Sequence, residues 1–137
     1  MSGLPRTLVT FVALMTLVGS NAADWNATHI FSELWSPHAR FHGVWFVVAV
    51  SLLSLLSLWL AWSPRAQPDR LRIGILVQAC IWLAFFPGML VPQTMLADPT
   101  KEVELAGIDL NLLGGILNVG LLLTALLLLR DHRRHPA

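Results

Sequence analysis

Ser36-Pro37-His38-Ala39-Arg40-Phe41-His42-Gly43-Val44-Trp45-Phe46-Val47-Val48-Ala49-Val50-Ser51-Leu52-Leu53-Ser54-Leu55-Leu56-Ser57-Leu58-Trp59-Leu60-Ala61-Trp62 is the stretch that decides the fold. From Gly43 to Trp62 it carries no charge, and about 20 apolar residues are what a helix needs to cross a ~30 Å hydrocarbon layer. Ser36-Pro37 reads as a helix start, because serine caps and proline is favoured at the first helical position. A helix over 37–62 has 26 residues and is about 39 Å long at 1.5 Å per residue. That exceeds the hydrocarbon thickness, so its first two turns stand in the interface.

Three more runs have the same character: 4–20, 73–91, which carries Pro87-Gly88 near its end, and 110–129. Of 137 residues 55% are hydrophobic and 12% charged, with a mean hydropathy of +0.66. A soluble domain has roughly twice that share of charge. The expectation is a single all-α integral membrane domain over 1–137, a bundle of four transmembrane helices. The first run is the shortest. Arg6, the apolar 7–19 and Ser20-Asn21-Ala22 also fit a signal peptide cut after Ala22, and we read the run as a retained span.

The charges set the orientation. Arg6, Arg65, Arg70, Arg72, Arg130, Arg133 and Arg134 fall on one side, and only Arg40 and Lys101 on the other. By the positive-inside rule both termini and the 63–71 turn face the cytoplasm, as in a bacterial inner (plasma) membrane. The outer side then holds the segment 21–42, the polar connection 93–108 and the acids Asp24, Glu33, Asp98, Glu102, Glu104 and Asp109. Trp59 and Trp62 mark the inner interface, and Trp25, Trp35 and Trp45 the outer one. Nothing interleaves basic and aromatic residues as nucleic-acid binding requires. The lone Cys80 excludes an internal disulfide and a cysteine-built zinc site.

Chemistry concentrates in the outer segment. His38 and His42 are four apart on one helical face, a common two-imidazole platform for Zn, Cu, Fe or Ni. The preceding stretch, 21–35, has helical periodicity: Ala23, Ala27, Ile30 and Leu34 form one stripe, and Asn26, His29 and Glu33 line another. Folded back at Ser36-Pro37, such a helix would bring His29 and Glu33 towards His38 and His42, making a site for one divalent metal with an open position. An acid–base or ligand site without metal, and a purely structural set of interfacial histidines, use the same residues. Arg40 suits a headgroup phosphate or carboxylate, and Asn26 adds a polar contact beside it.

Within the spans, Gln78 and Asn118 are the amides, and Asn111 and Asn118 share a face with Gly114 and Gly115 beside them. Helix packing is the first reading, since buried amides bond across helices. A polar cavity descending from the histidines, lined by Ser51, Ser54, Gln78 and Asn118, is the other. No charge lies inside a span, which argues against a proton relay or ion-coupled pump. His132 and His135 belong to a basic anchor, and Asn26-Ala27-Thr28 matches a glycosylation sequon.

The string His29-Ile30-Phe31-Ser32-Glu33-Leu34-Trp35-Ser36-Pro37-His38-Ala39-Arg40-Phe41-His42 resembles a signature of small four-helix membrane proteins of bacteria and fungi, grouped as a domain of unknown function. His29, Trp35, Pro37, His38, Ala39, Arg40, Phe41 and His42 are the matching positions. The resemblance implies the fold and no activity. The functional expectation is therefore an outward histidine-rich site for a divalent metal or a lipid-like ligand. The alternative is an accessory or scaffold subunit docking on a partner membrane protein, and an oligomeric transporter is a third class.

Overall fold

A computed structural model describes residues 3–64, 67–96, 104–105 and 107–134. Arg65, Asp98, Lys101, Glu102 and His135 lie outside the described residues, as does half of the 93–108 connection. Four helices follow one another: α1 Gly3–Asp24, α2 Pro37–Trp62, α3 Pro68–Gly88 and α4 Leu110–Arg134. Each is long and apolar enough to cross a membrane. They pack as a closed antiparallel ring in which α1 meets α2, α2 meets α3, α3 meets α4 and α4 returns to α1. One end of the bundle therefore holds the start of α2 and the histidines. The other holds Arg6, Arg70 and Arg72.

Local chemistry places the helix ends. Ser36 is extended (φ −60°, ψ 154°), and its hydroxyl accepts from the Ala39 N–H at 3.2 Å, with Pro37 in the first turn. The start of α2 is thus as the sequence implies. Helix α3 begins five residues before the apolar run, at Pro68, and closes at Gly88 with Pro87 in its last turn. Asp69, Arg70 and Arg72 fill its first turns, which hide the helix from a hydropathy reading. Helix α4 likewise continues past the apolar run to Arg134.

The segment 21–42 departs from expectation. Helix α1 runs on to Asp24, and 25–36 is then a chain of turns rather than a helix. Asn26 diverts the backbone: its Oδ1 accepts from the Thr28 N–H at 2.9 Å and the Thr28 hydroxyl at 2.7 Å, the side-chain competition that makes asparagine a turn former. The all-α expectation gains one small exception, a hairpin in the α3–α4 connection. Strands β1 Glu104–Leu105 and β2 Ile108–Asp109 pair antiparallel, Glu104 opposite Asp109, and Gly107 takes the positive φ (76°) of a tight turn.

The interior is layered along the bundle axis. At the arginine end Val9, Val12, Ala61, Leu71, Ile75, Leu122, Ala125 and Leu129 form an apolar core from all four helices. The middle layer is polar and joins three helices. Gln78, wholly buried, donates to Ser54 Oγ at 3.3 Å and Ser57 Oγ at 3.2 Å. The Thr16 hydroxyl lies 3.0 Å from Gln78 Oε1 and 2.8 Å from Val12 O, and it accepts from Trp82 Nε1 at 2.8 Å. Ser57 also reaches Gly74 O at 3.2 Å and Leu53 O at 3.0 Å. At the histidine end the loop's Ile30 is buried over the top of the bundle.

Candidate functional site

The loop 25–36 is closed on itself at Asp24 and held to the start of α2 by two contacts. Asp24 O accepts from the N–H groups of Asn26 at 2.9 Å and Ile30 at 3.1 Å, closing the first turns. Arg40 Nη2 donates to Ser32 O at 2.9 Å, tying the loop to the first turn of α2. Trp35 lies flat enough on Gly43 that a Cβ there would stand 2.6 Å from its ring, with Ile30 close behind. Only a residue without a side chain admits this approach.

These contacts sort the candidate residues onto two faces. The packed face of α2 carries Val47, Val50, Ser54, Ser57, Leu60 and Ala61, and Trp35 covers Gly43 above it. His29 goes with Trp35, their rings edge-on at 6.2 Å. Its Nδ1 is 3.0 Å from Thr28 Oγ1, and its Nε2 is 4.0 Å from Asp24 Oδ1. Because the Thr28 hydroxyl donates to Asn26 Oδ1, 2.7 Å away, its oxygen is left to accept from His29 Nδ1.

His38 and His42 occupy the exposed side of α2, with Phe41 and Trp45. The two imidazoles stand T-shaped, centroids 4.5 Å apart, with Nε2 to Nε2 at 3.1 Å. His42 packs in turn on Phe41 at 5.8 Å and Trp45 at 6.0 Å. Glu33 is exposed in the loop. The structure therefore brings His38 and His42 together and sets His29 with Asp24. Among the described residues no three His, Cys, Asp or Glu side chains converge into a metal-holding group.

Below the histidine pair an open, mainly apolar groove runs down α2. Its upper part, about 330 Å³, is lined by Phe41, Val44, Trp45 and Val48. Its lower part, about 420 Å³, is lined by Asn21, Trp25, Val48, Ser51 and Leu52. Asn21 Nδ2 donates to Ser51 Oγ at 2.8 Å there, a polar spot shared by α1 and α2.

The remaining candidates have local partners. Asn26 builds the Asx turn and donates to Ala23 O. Gln78 is the hub of the three-helix network, the packing role anticipated for it. Asn118 donates to Gly114 O at 2.8 Å, while its buried Oδ1 has no partner among the described residues. The sequence reading missed Asp24 and Thr28 as partners of His29, and Thr16 and Trp82 as partners of Gln78. A hydroxyl in the middle of an apolar run was the available signal for Thr16.

Over residues 8–114 the chain matches the model of a family described as Family of unknown function (DUF6640), and it belongs to that family. The matched region takes in most of α1, all of α2 and α3, the histidine loop and the first turn of α4. No curated protein and no solved structure matches the chain.

Proposed function

We propose that this family member is an integral membrane protein, its histidine end on the outer side and its arginine end in the cytoplasm, and that His38 and His42 form a divalent-metal platform at the outer surface. Four helices of spanning length and the sorting of arginines to one end support the placement. One observation carries the site: the 3.1 Å between the two Nε2 atoms. Metal–imidazole bonds of about 2.05 Å to nitrogens that far apart subtend about 98°, between square-planar and tetrahedral values.

Two protein ligands leave the other coordination positions to water, substrate or a partner's side chain, which suits activation or handover of a ligand rather than a closed structural site. Arg40, between the two histidines in sequence, has further guanidinium donors beyond the one given to Ser32. These can hold a phosphate or carboxylate next to the metal. The test is elemental analysis of protein purified in detergent without a metal-affinity tag, wild type beside His38→Ala/His42→Ala. The expected result is about one Zn, Cu, Fe or Ni per chain, lost in the double variant. No metal in either protein, even after incubation with each ion, refutes the platform.

A second reading, a lipid-like ligand held without metal, is favoured by the groove. A chain lying along Phe41, Val44, Trp45 and Val48 would end with its headgroup at the imidazoles and Arg40. In that case the double variant loses copurifying lipid and leaves the metal content unchanged.

A further inference from the structure

The lower part of the groove has a polar floor that the bundle leaves half used. Asn21, near the end of α1, and Ser51, midway along α2, are both half-buried and line the same cavity of about 420 Å³ with Trp25, Val48 and Leu52. Their contact fixes how each is turned. Asn21 Nδ2 lies 2.8 Å from Leu17 O, which can only accept, so the amide nitrogen is on that side. The same nitrogen donates to Ser51 Oγ at 2.8 Å. Both amide protons are thereby taken. Asn21 Oδ1 is left as an acceptor and the Ser51 hydroxyl as a donor, on adjacent side chains, and neither has a partner among the described residues.

The threonines of the helices, and Ser57, are treated differently. Thr7, Thr10, Thr16, Thr124 and Ser57 each reach the carbonyl four residues back, which satisfies a hydroxyl inside its own helix. Ser51 is turned to Asn21 instead. It stands nine residues below His42, about 13 Å at 1.5 Å per residue. In the membrane placement proposed above, the free donor and acceptor then face hydrocarbon rather than water. Such groups are costly unless what fills the groove supplies their bonds.

We propose that the groove binds a long-chain alcohol, an apolar chain whose hydroxyl donates to Asn21 Oδ1 and accepts from the Ser51 hydroxyl. This rests on the groove holding an apolar chain, the second reading above, and adds the polar group that the chain carries. A hydroxyl donates and accepts through one atom, so it meets both side chains at once. An ether, an ester or a carboxylate accepts from Ser51 and sets an acceptor against Asn21 Oδ1. An ammonium donates to Asn21 and leaves the serine proton unmet. No cationic side chain lines this part of the groove to neutralise an anion. The walls suit the rest of the molecule: Val48 and Leu52 are exposed on α2, and Trp25 is held edge-on against Phe31 at 5.9 Å. Val48 also lines the upper part with Phe41, Val44 and Trp45, which gives the chain an apolar path along α2.

Full-length protein in a detergent without hydroxyl groups, titrated with 1-hexadecanol or its methyl ether at equal mole fraction in the micelle and followed by native mass spectrometry, tests this. The alcohol should bind about fivefold more tightly than the ether, the net worth of one hydrogen bond. Asn21→Ala/Ser51→Ala should abolish that preference. Val48→Trp, at a surface position that tolerates a larger side chain, should fill the groove and remove the binding of both probes, which locates the site even if the alanine pair fails to fold. Equal binding of alcohol and ether by the wild type would overturn the proposal and leave the groove reading standing. Binding of neither probe would overturn both. An undiminished preference in the alanine pair, or undiminished binding in Val48→Trp, would also overturn the proposal.

Discussion

Replacing Gln78 with leucine tests whether the polar middle layer holds the bundle together. The side chain is wholly buried and makes three bonds, to Ser54, Ser57 and Thr16. Side-chain bonds between helices in lipid average about 0.6 kcal/mol. Two partners have somewhere else to turn: Thr16 keeps Val12 O, and Ser57 keeps Leu53 O. Ser54 is fully buried, and its hydroxyl accepts from Gln78 Nε2. Its loss weighs more, since an orphaned buried hydroxyl costs about 1–3 kcal/mol unless it finds its own backbone. Leucine matches the volume, so packing contributes little. The expected destabilisation is about 2 kcal/mol, read as the unfolding free energy in mixed micelles titrated with sodium dodecyl sulfate and followed by far-UV circular dichroism. Adding Thr16→Val to both backgrounds should reveal a coupling near 0.6 kcal/mol. A Gln78→Leu protein within about 0.3 kcal/mol of wild type, or strictly additive effects, would refute the reasoning. Metal and lipid binding at the histidine end should not change.

Gly43→Ala places a methyl group 2.6 Å from the Trp35 ring, so the ring must move; a loss of about 1–3 kcal/mol is expected. Faster amide exchange at Ile30 and Ser32 would mark the lifting of the loop. Arg40→Gln removes the bond to Ser32 O and should speed the same exchange while leaving the helical content intact. Ser36→Ala deletes the cap of α2 and should cost about 1 kcal/mol in the same micelle titration. Replacing His38 alone with alanine should weaken the metal binding read by equilibrium dialysis, and an unchanged affinity would place the metal elsewhere.

The long apolar runs and the Ser36-Pro37 start were legible because each is a local property: length, absence of charge and a capping side chain. The pairing of His38 with His42 was legible for the same reason, since helical spacing alone brings them together. The loop was not. Its alternation imitates a helix, yet Asn26 and Ser32 turn the backbone with their own side chains. Trp35 finds Gly43 only once both segments are folded. His29 consequently pairs with Asp24, five residues back, rather than with the histidines ahead. The early start of α3 was masked by Asp69, Arg70 and Arg72, which lower hydropathy without opposing a helix. Gln78 could be assigned to packing from sequence, but its partners depend on the relative heights of three helices, which no periodicity encodes.

Those heights have a mechanical consequence. Helices α1, α2 and α3 are keyed: one residue of rotation, about 100°, would swing Gln78 or Thr16 off its partners and break several bonds together. Helix α4 has no such key, for among the described residues no side-chain bond ties its apolar stretch to the other three. It is held by Leu122, Ala125 and Leu129 and by Phe85, whose ring lies so near Gly115 that a Cβ there would stand 3.1 Å from it. The bundle thus has a polar lock across α1, α2 and α3, and α4 completes the ring by apolar packing.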